Sequence, residues 1–336
     1  MDQRAKLDGI LDASRIRQLR NRSAIVLDVD DTVLAREREG IGQESFEHSA
    51  SASLLPELLQ RGFRMCFITG HGWSQLESRL IKPLLEQLDE QVRVDAIKRL
   101  YIYANRGATR ISWDGRSFAV SENYSGTSKL ESSDLQQLKG LLESLGAEVM
   151  EDVRRRPDWY QANFPGFDFK QLPPETALRE DTVLVLRPIP SAIHAKREEP
   201  TDIRANTYGS AMRQLQELTL NEDYEVAQAG RSSIEITRKG VSKDVALRDL
   251  ISGISATPGD EDQVEESLVY IGDEFFPGGN DFAVARDFPG LLCFSVAERV
   301  EPAPGSAKVV NLPVEIGLSG TLATEALLKH VLDLSL

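Results

Sequence analysis

Cysteine is nearly absent from this chain, with only Cys66 and Cys293 in 336 residues. That excludes a disulfide framework. The runs around the two thiols, RMCFIT and LLCFSV, read as buried strands holding reduced cysteines. Histidine is scarce as well, and His48, His71, His194 and His330 show no spacing that would hold a metal. Aromatic residues are few. Basic residues are outnumbered, 39 Lys and Arg against 53 Asp and Glu, which leaves a formal net charge of −14. Such a chain is a poor partner for nucleic acid or an anionic membrane, and an anionic ligand would need a locally positive site. No apolar run approaches the length of a membrane span. The polar opening MDQRAKLDGILDASRIRQLRNR lacks the apolar core of a signal peptide, so the expected location is cytoplasmic. There is no low-complexity tract and no internal repeat.

What is present is a series of continuous apolar runs. AIVLDV (24–29), RMCFITG (64–70), LYIYAN (100–105), LVYIGD (268–273) and LLCFSV (291–296) each suit a strand buried on both faces, as in a parallel sheet. Helical patterns separate them at 51–61, 73–88, after residue 240 and at 322–334, with a further short helix at 9–20. Gly62 is placed to cap one of these and Pro83 to kink another. This β-α-β alternation predicts a doubly wound α/β fold with five parallel strands. Between about 112 and 235 the pattern changes. A hairpin turn at Asp114-Gly115, helices at 131–145 and 202–218, and strands at 182–189, 223–229 and 233–238 predict an inserted α+β domain. The Pro-, Gly- and Phe-rich stretch 163–175 reads as a loop. The expected division is core 1–111, insert 112–235, core 236–336.

In open α/β sheets, ligands sit beyond the carboxyl ends of the strands. Asp28, Asp30, Asp31 and Thr32 follow the first strand, Thr69 and Gly70 the second, and Asp273, Asn280 and Asp281 the fourth, while Lys243 starts the helix ahead of that strand. So many carboxylates converging on one edge repel one another unless a cation lies among them. Hard oxygen ligands point to Mg2+.

AIVLDVDDTVL resembles the first motif of the haloacid dehalogenase (HAD) superfamily, an apolar strand ending in Asp-x-Asp-x-Thr. FITGH resembles its second motif, GVSKDVAL its lysine-bearing third motif, and VYIGDEFFPGGNDF its fourth; YANRGATRISWDG resembles the segment leading into a large cap. The resemblance covers the core, about 22–110 and 240–335. It implies an HAD-type doubly wound parallel sheet, a Rossmann-like three-layer sandwich, with an inserted α+β cap domain. It also implies a Mg2+-dependent phosphatase acting on a small phosphate ester, with a sugar phosphate as the favoured class because the cap resembles those of sugar phosphatases.

On that resemblance Asp28 is the nucleophile and Asp30 the general acid and base. Asp30 lies two residues on and points the same way along an extended chain. Its presence separates phosphoryl transfer from the dehalogenase branch, which lacks an acid there. Thr69 and Lys243 contact the transferring phosphoryl group, and Gly70 offers its backbone amide. The metal ligands are Asp28, Asp30 through its carbonyl, and Asp273, with Asn280 or Asp281 in support. Asp281 follows Asp273 by eight positions rather than the usual four, a spacing that resembles phosphomannomutases and makes a phosphomutase the alternative. A non-catalytic binding protein on this fold is the third reading, and the complete set of motif residues argues against it.

Two lysines, Lys239 and Lys243, compete for the third-motif role, and placement in the motif favours Lys243. His71 either faces the site or caps the following helix. Asp31 reads as structural. In the insert, Arg187, His194 and Lys196 are candidate substrate contacts, whereas Arg154, Arg155 and Arg156 read as a solvated charge run.

Overall fold

The computed structural model describes residues 3–35, 44–125, 128–164, 173–189, 201–229, 233–255 and 260–335. It divides into two compact units. The first comprises 1–36, 43–121 and 242–336, and the second 37–42 and 122–241.

The first unit is built on one eight-stranded sheet. Its strands in chain order are β1 (Ile25–Leu27), β2 (Met65–Ile68), β3 (Leu100–Ala104), β4 (Thr109–Trp113), β5 (Phe118–Val120), then β10 (Val269–Gly272), β11 (Leu292–Ser295) and β12 (Lys308–Asn311). The spatial order is β12-β11-β10-β1-β2-β3-β4-β5. From β12 to β3 every pairing is parallel, while β3–β4 and β4–β5 are antiparallel. Every residue of β1, β2, β10 and β11 is buried. That is why these strands appear in the sequence as unbroken apolar runs. Helices cover both faces, and one apolar core cluster runs from Leu7 and Leu11 through Leu27, Phe67, Ile271 and Phe294 to Leu327 and Leu328. Each such side chain contributes about 1.5–3 kcal/mol on burial.

Six parallel strands are present rather than five. The sixth, β12, is short and only Val310 in it is buried; an edge strand with one buried residue leaves no apolar run to read. The Asp114-Gly115 hairpin extends the main sheet through β4 and β5, so residues 112–121 belong to the core unit and not to the insert. At its other end the second unit runs through Val241, because β9 (Ser233–Arg238) pairs within its sheet.

The second unit holds an antiparallel sheet of β6 (Glu175–Arg179), β7 (Val183–Arg187), β9 and β8 (Tyr224–Ala229), in the order β6-β7-β9-β8. Helices Ser132–Arg155 and Thr201–Glu217 contribute Leu138, Leu142, Leu145, Ala211 and Leu215 to a core with Leu184, Leu186, Ile234 and Ile236. β6 starts at Glu175, where the sequence reads as loop. It is an edge strand with no buried residue, so its apolar signal is weak.

The 73–88 helix is interrupted. Helical residues Trp73–Leu76 lead into a wider π turn over Glu77–Ile81, followed by Lys82–Glu86. Pro83 supplies the cause. Its ring crowds the carbonyl four residues back, at Arg79, and it has no N–H to offer that carbonyl. Both cysteines are free and buried, and burial pushes each thiol well above the usual range. Among the described residues no helix is long and apolar enough to cross a membrane.

Candidate active site

The order of the main sheet reverses at β1. Chain-successive strands β2 and β3 lie to one side of it, and β10, β11 and β12 to the other. The carboxyl ends of β1 and β10 therefore flank the switch point where α/β sheets bind ligands. Asp28 leaves the end of β1, and its N–H donates to Ile271 O at 2.9 Å. Asp273 leaves β10. Thr69 leaves β2, with its N–H donating to Tyr103 O at 3.0 Å. All three are buried.

Lys243 is the first residue of the helix Lys243–Ile254 and is 1% exposed. Its Nζ lies 3.0 Å from Asp28 Oδ1 and 2.7 Å from Asp281 Oδ1. Burial alone would lower its pKa. The Asp28 and Asp281 carboxylates outweigh that and hold the ammonium well above its ordinary value. Lys239 is exposed, and its N–H bonds to Asp223 in the second unit.

Asp281 is fully buried and its four contacts are specific. Oδ1 accepts from Lys243 and from Tyr270 Oη at 2.5 Å, and Oδ2 accepts from the N–H groups of Asp273 at 3.0 Å and Glu274 at 2.9 Å. Burial would raise the Asp281 carboxyl, but Lys243 and these hydrogen bonds keep it below the usual range. The long spacing of this motif has a local explanation. Residues 274–280 loop out, the Glu274 carboxylate accepts from the Asn280 N–H at 3.1 Å, and the chain returns Asp281 onto the end of β10. Gly272 makes this possible, because a Cβ there would lie 2.5 Å from Asp281 Oδ2. Gly272→Ala should therefore displace the Asp281 carboxylate and cost about 1–3 kcal/mol. Denaturant unfolding checks this, and an unchanged midpoint would contradict the close approach.

Asp28, Asp273 and Asp281 each present a carboxylate oxygen, all within 4.8 Å of one another. Asn280 Oδ1 is buried with no hydrogen-bond donor among the described residues. The donors are all hard oxygens, as Mg2+ requires. Both Asp281 oxygens already accept from protein donors, and Asp281 shares Lys243 with Asp28.

Asp30 is turned to a pair of residues that the sequence does not bring together, His71 and Arg79. His71 Nε2 lies 2.5 Å from Asp30 Oδ2 and Arg79 Nη1 lies 3.4 Å from Asp30 Oδ1. Asp31 takes a left-handed φ of 55° and its N–H donates to Leu34 O, a structural role. Gly70 lies against the Arg106 side chain. Arg106 is itself left-handed, and its N–H donates to Thr69 O at 2.7 Å. Asn105, also left-handed, donates to His71 O at 2.8 Å, so the turn after β3 braces the segment after β2.

In the second unit Arg187 is 3.1 Å from Glu175, its direct cross-strand partner. His194 and Lys196 lie outside the described residues. Arg154 and Arg155 pair with Glu151, and Arg156 pairs with Asp152 while stacking over Trp159, which accounts for the basic run.

No protein-family model matches the chain, and no curated protein matches it by sequence. Solved structures do match in shape. IMP-bound Plasmodium falciparum IMP-nucleotidase superposes with a TM-score of 0.57 at 14% identity, over 97% of this chain and 70% of that one. The C-terminal domain of C. albicans trehalose-6-phosphate phosphatase gives 0.56 at 12% identity, over 100% and 97%. Aspergillus fumigatus trehalose-6-phosphate phosphatase gives 0.52 at 13%, over 99% and 97%. At these identities the likeness is one of fold: a largely parallel α/β sheet accompanied by a separate antiparallel sheet, as the haloacid dehalogenase resemblance of the sequence implies.

Proposed function

We propose that the chain is a Mg2+-dependent phosphomonoesterase that works through a phosphorylated Asp28, on a sugar phosphate or a similar small metabolite. The observation that carries this reading is the buried Asp28–Lys243–Asp281 array at the switch point, with Asp273 alongside. A buried carboxylate beside a buried ammonium is costly to assemble and gives little net stability. Its position at the ligand-binding edge of the sheet gives it a chemical use.

In this scheme an Asp28 carboxylate oxygen attacks phosphorus in line. The phosphorus–oxygen bond to the alcohol breaks as Asp30 gives its proton to the departing oxygen. A water then attacks phosphorus, Asp30 takes its proton, and Asp28 is released with inorganic phosphate. The Thr69 hydroxyl and the Lys243 ammonium balance charge on the phosphoryl oxygens. Asp28, Asp273 and the Asp30 carbonyl, with Asn280 or Asp281 in support, would hold Mg2+, which would supply the charge that lets a carboxylate approach a phosphate dianion. The superposed neighbours bear the names of enzymes for IMP and for trehalose 6-phosphate, both phosphomonoesters. The resemblance of the cap to those of sugar phosphatases favours the second class here.

Phosphate release from a panel of sugar phosphates, nucleoside monophosphates and other small esters tests the reading. Turnover that chelator abolishes and Mg2+ restores is the expected result, with sugar phosphates preferred. Isomerised sugar phosphate without free phosphate would mean a mutase. Ligand binding without turnover would mean a non-catalytic protein.

A further inference from the structure

The least expected feature of the first unit is the company kept by Asp30. Its two carboxylate oxygens have separate cationic or ring partners: His71 Nε2 on Oδ2 at 2.5 Å, Arg79 Nη1 on Oδ1 at 3.4 Å. The two partners also touch, with His71 Nε2 and Arg79 Nη1 3.0 Å apart. All three side chains are largely enclosed, at 14–17% exposure. An aspartate rotates freely about two side-chain bonds. Contacts on both oxygens from two different elements leave its carboxylate one orientation.

Each partner is itself held by specific backbone features. His71 is pinned on both sides of its peptide, its N–H on Thr69 Oγ1 at 3.2 Å and its carbonyl accepting from Asn105 N–H at 2.8 Å. The second bond comes from a residue in the left-handed region, φ 53°. Such conformations cost about 1–3 kcal/mol and persist where surrounding structure enforces them. Arg79 lies in the π turn forced by Pro83. A π turn inserts extra backbone and rotates the side chains it carries, and such turns recur at functional sites.

We propose that His71 and Arg79 are positioning residues for Asp30, fixing its carboxyl where it can reach the oxygen of the departing alcohol. This inference rests on the phosphatase reading above and adds to it that the acid is oriented by a clamp contributed by the segments after β2. Proton delivery requires heavy atoms at about 2.6–3.2 Å. A displacement near 1 Å costs on the order of 10²-fold in rate.

The role has a signature that general disruption lacks. An alkyl phosphate, such as a sugar phosphate, releases a poor leaving group and needs the acid. 4-Nitrophenyl phosphate releases a good one and needs the acid little in that first step, whereas hydrolysis of the phosphorylated Asp28 uses Asp30 as base whichever ester was used. The discriminating rate is therefore leaving-group release within the first turnover, read by rapid quench. We expect His71→Ala and Arg79→Met to lower it on the best alkyl ester by about 10- to 100-fold. First-turnover release of 4-nitrophenol should change less than about threefold, and KM for the alkyl ester less than about twofold, because ground-state binding is untouched. His71→Gln, whose amide N–H sits near the Nε2 position, and Arg79→Lys should restore most of the alkyl activity. If the alanine variant unfolds, the glutamine and methionine variants carry the test, with thermal unfolding as the control. Equal losses in first-turnover release from both esters by folded variants overturn the clamp and leave the phosphatase reading standing. Wild-type protein that turns over neither ester with Mg2+ overturns both.

Discussion

Asp28→Asn is expected to abolish phosphate release, by on the order of 10⁴-fold or more, the scale seen when a covalent nucleophile is removed. The substitution keeps the shape of the side chain at the end of β1 and removes only its charge and its nucleophilic oxygen. Fold and substrate binding should therefore survive, and the loss should fall on kcat. The neighbouring ammonium changes the stability outcome as well. Lys243 Nζ retains Asp281 at 2.7 Å when its 3.0 Å contact to Asp28 loses a charge, so one buried ion pair remains balanced. Asp28→Asn should thus unfold within about 1 kcal/mol of wild type, the scale of one net hydrogen bond. Turnover by the folded asparagine variant at more than a few per cent of wild type would rule out Asp28 as nucleophile.

Lys243→Met carries the largest expected effect on stability. It leaves the buried carboxylates of Asp28 and Asp281 without the cation between them. Removing one partner from a buried ionic group costs about 3–5 kcal/mol. In metal-free buffer the denaturant midpoint should fall accordingly with an unchanged slope. Added Mg2+ should recover part of the loss, since an ion that binds only the folded form stabilises it. The pH dependence has a definite sign. In wild type the Asp281 carboxyl is held low, so its contribution is present above the ordinary aspartate value of about 3.9 and fades as pH falls through the lowered one. Lys243 is held high, so its contribution is complete below about 10.4 and fades only above that. Without Lys243, the largest influence lowering the Asp281 carboxyl is gone, and burial, which raises it, is opposed only by the remaining hydrogen bonds. The variant's deficit against wild type should therefore narrow as the pH falls from 7 toward 4, where protonation relieves the unpaired buried charge. A constant deficit would mean that the methionine disturbs packing rather than charge.

Much of the fold and site is legible in the sequence because a buried parallel strand leaves an unmistakable trace. Asp28, Thr69 and Asp273 each end a run whose residues are all buried, so strand end and polar residue are read together. The strands that escape are those without that burial: β6 has no buried residue and β12 has one. The hairpin at Asp114-Gly115 is visible as a turn, but whether it joins the main sheet or the insert depends on pairing with β3, which no local pattern encodes. Asp281 illustrates the same limit. Its spacing from Asp273 looks anomalous until the loop returns it to the N–H groups of Asp273 and Glu274. Tyr270, whose hydroxyl meets Asp281, reads only as another apolar strand residue. The approach of Arg79 to Asp30 spans 49 positions and depends on a turn widened by Pro83. The proline was visible, but the direction in which it aims Arg79 was not.

The central claim is the covalent step on Asp28, and acid-quenched protein tests it most directly. Enzyme mixed with its best ester and Mg2+ is stopped in acid within one turnover, digested and read by mass spectrometry. A phosphoryl group on the peptide carrying Asp28, absent with chelator and absent from Asp28→Asn, is the expected result. Phosphate released at the wild-type rate with no adduct on that peptide, and with turnover persisting in Asp28→Asn, would contradict it.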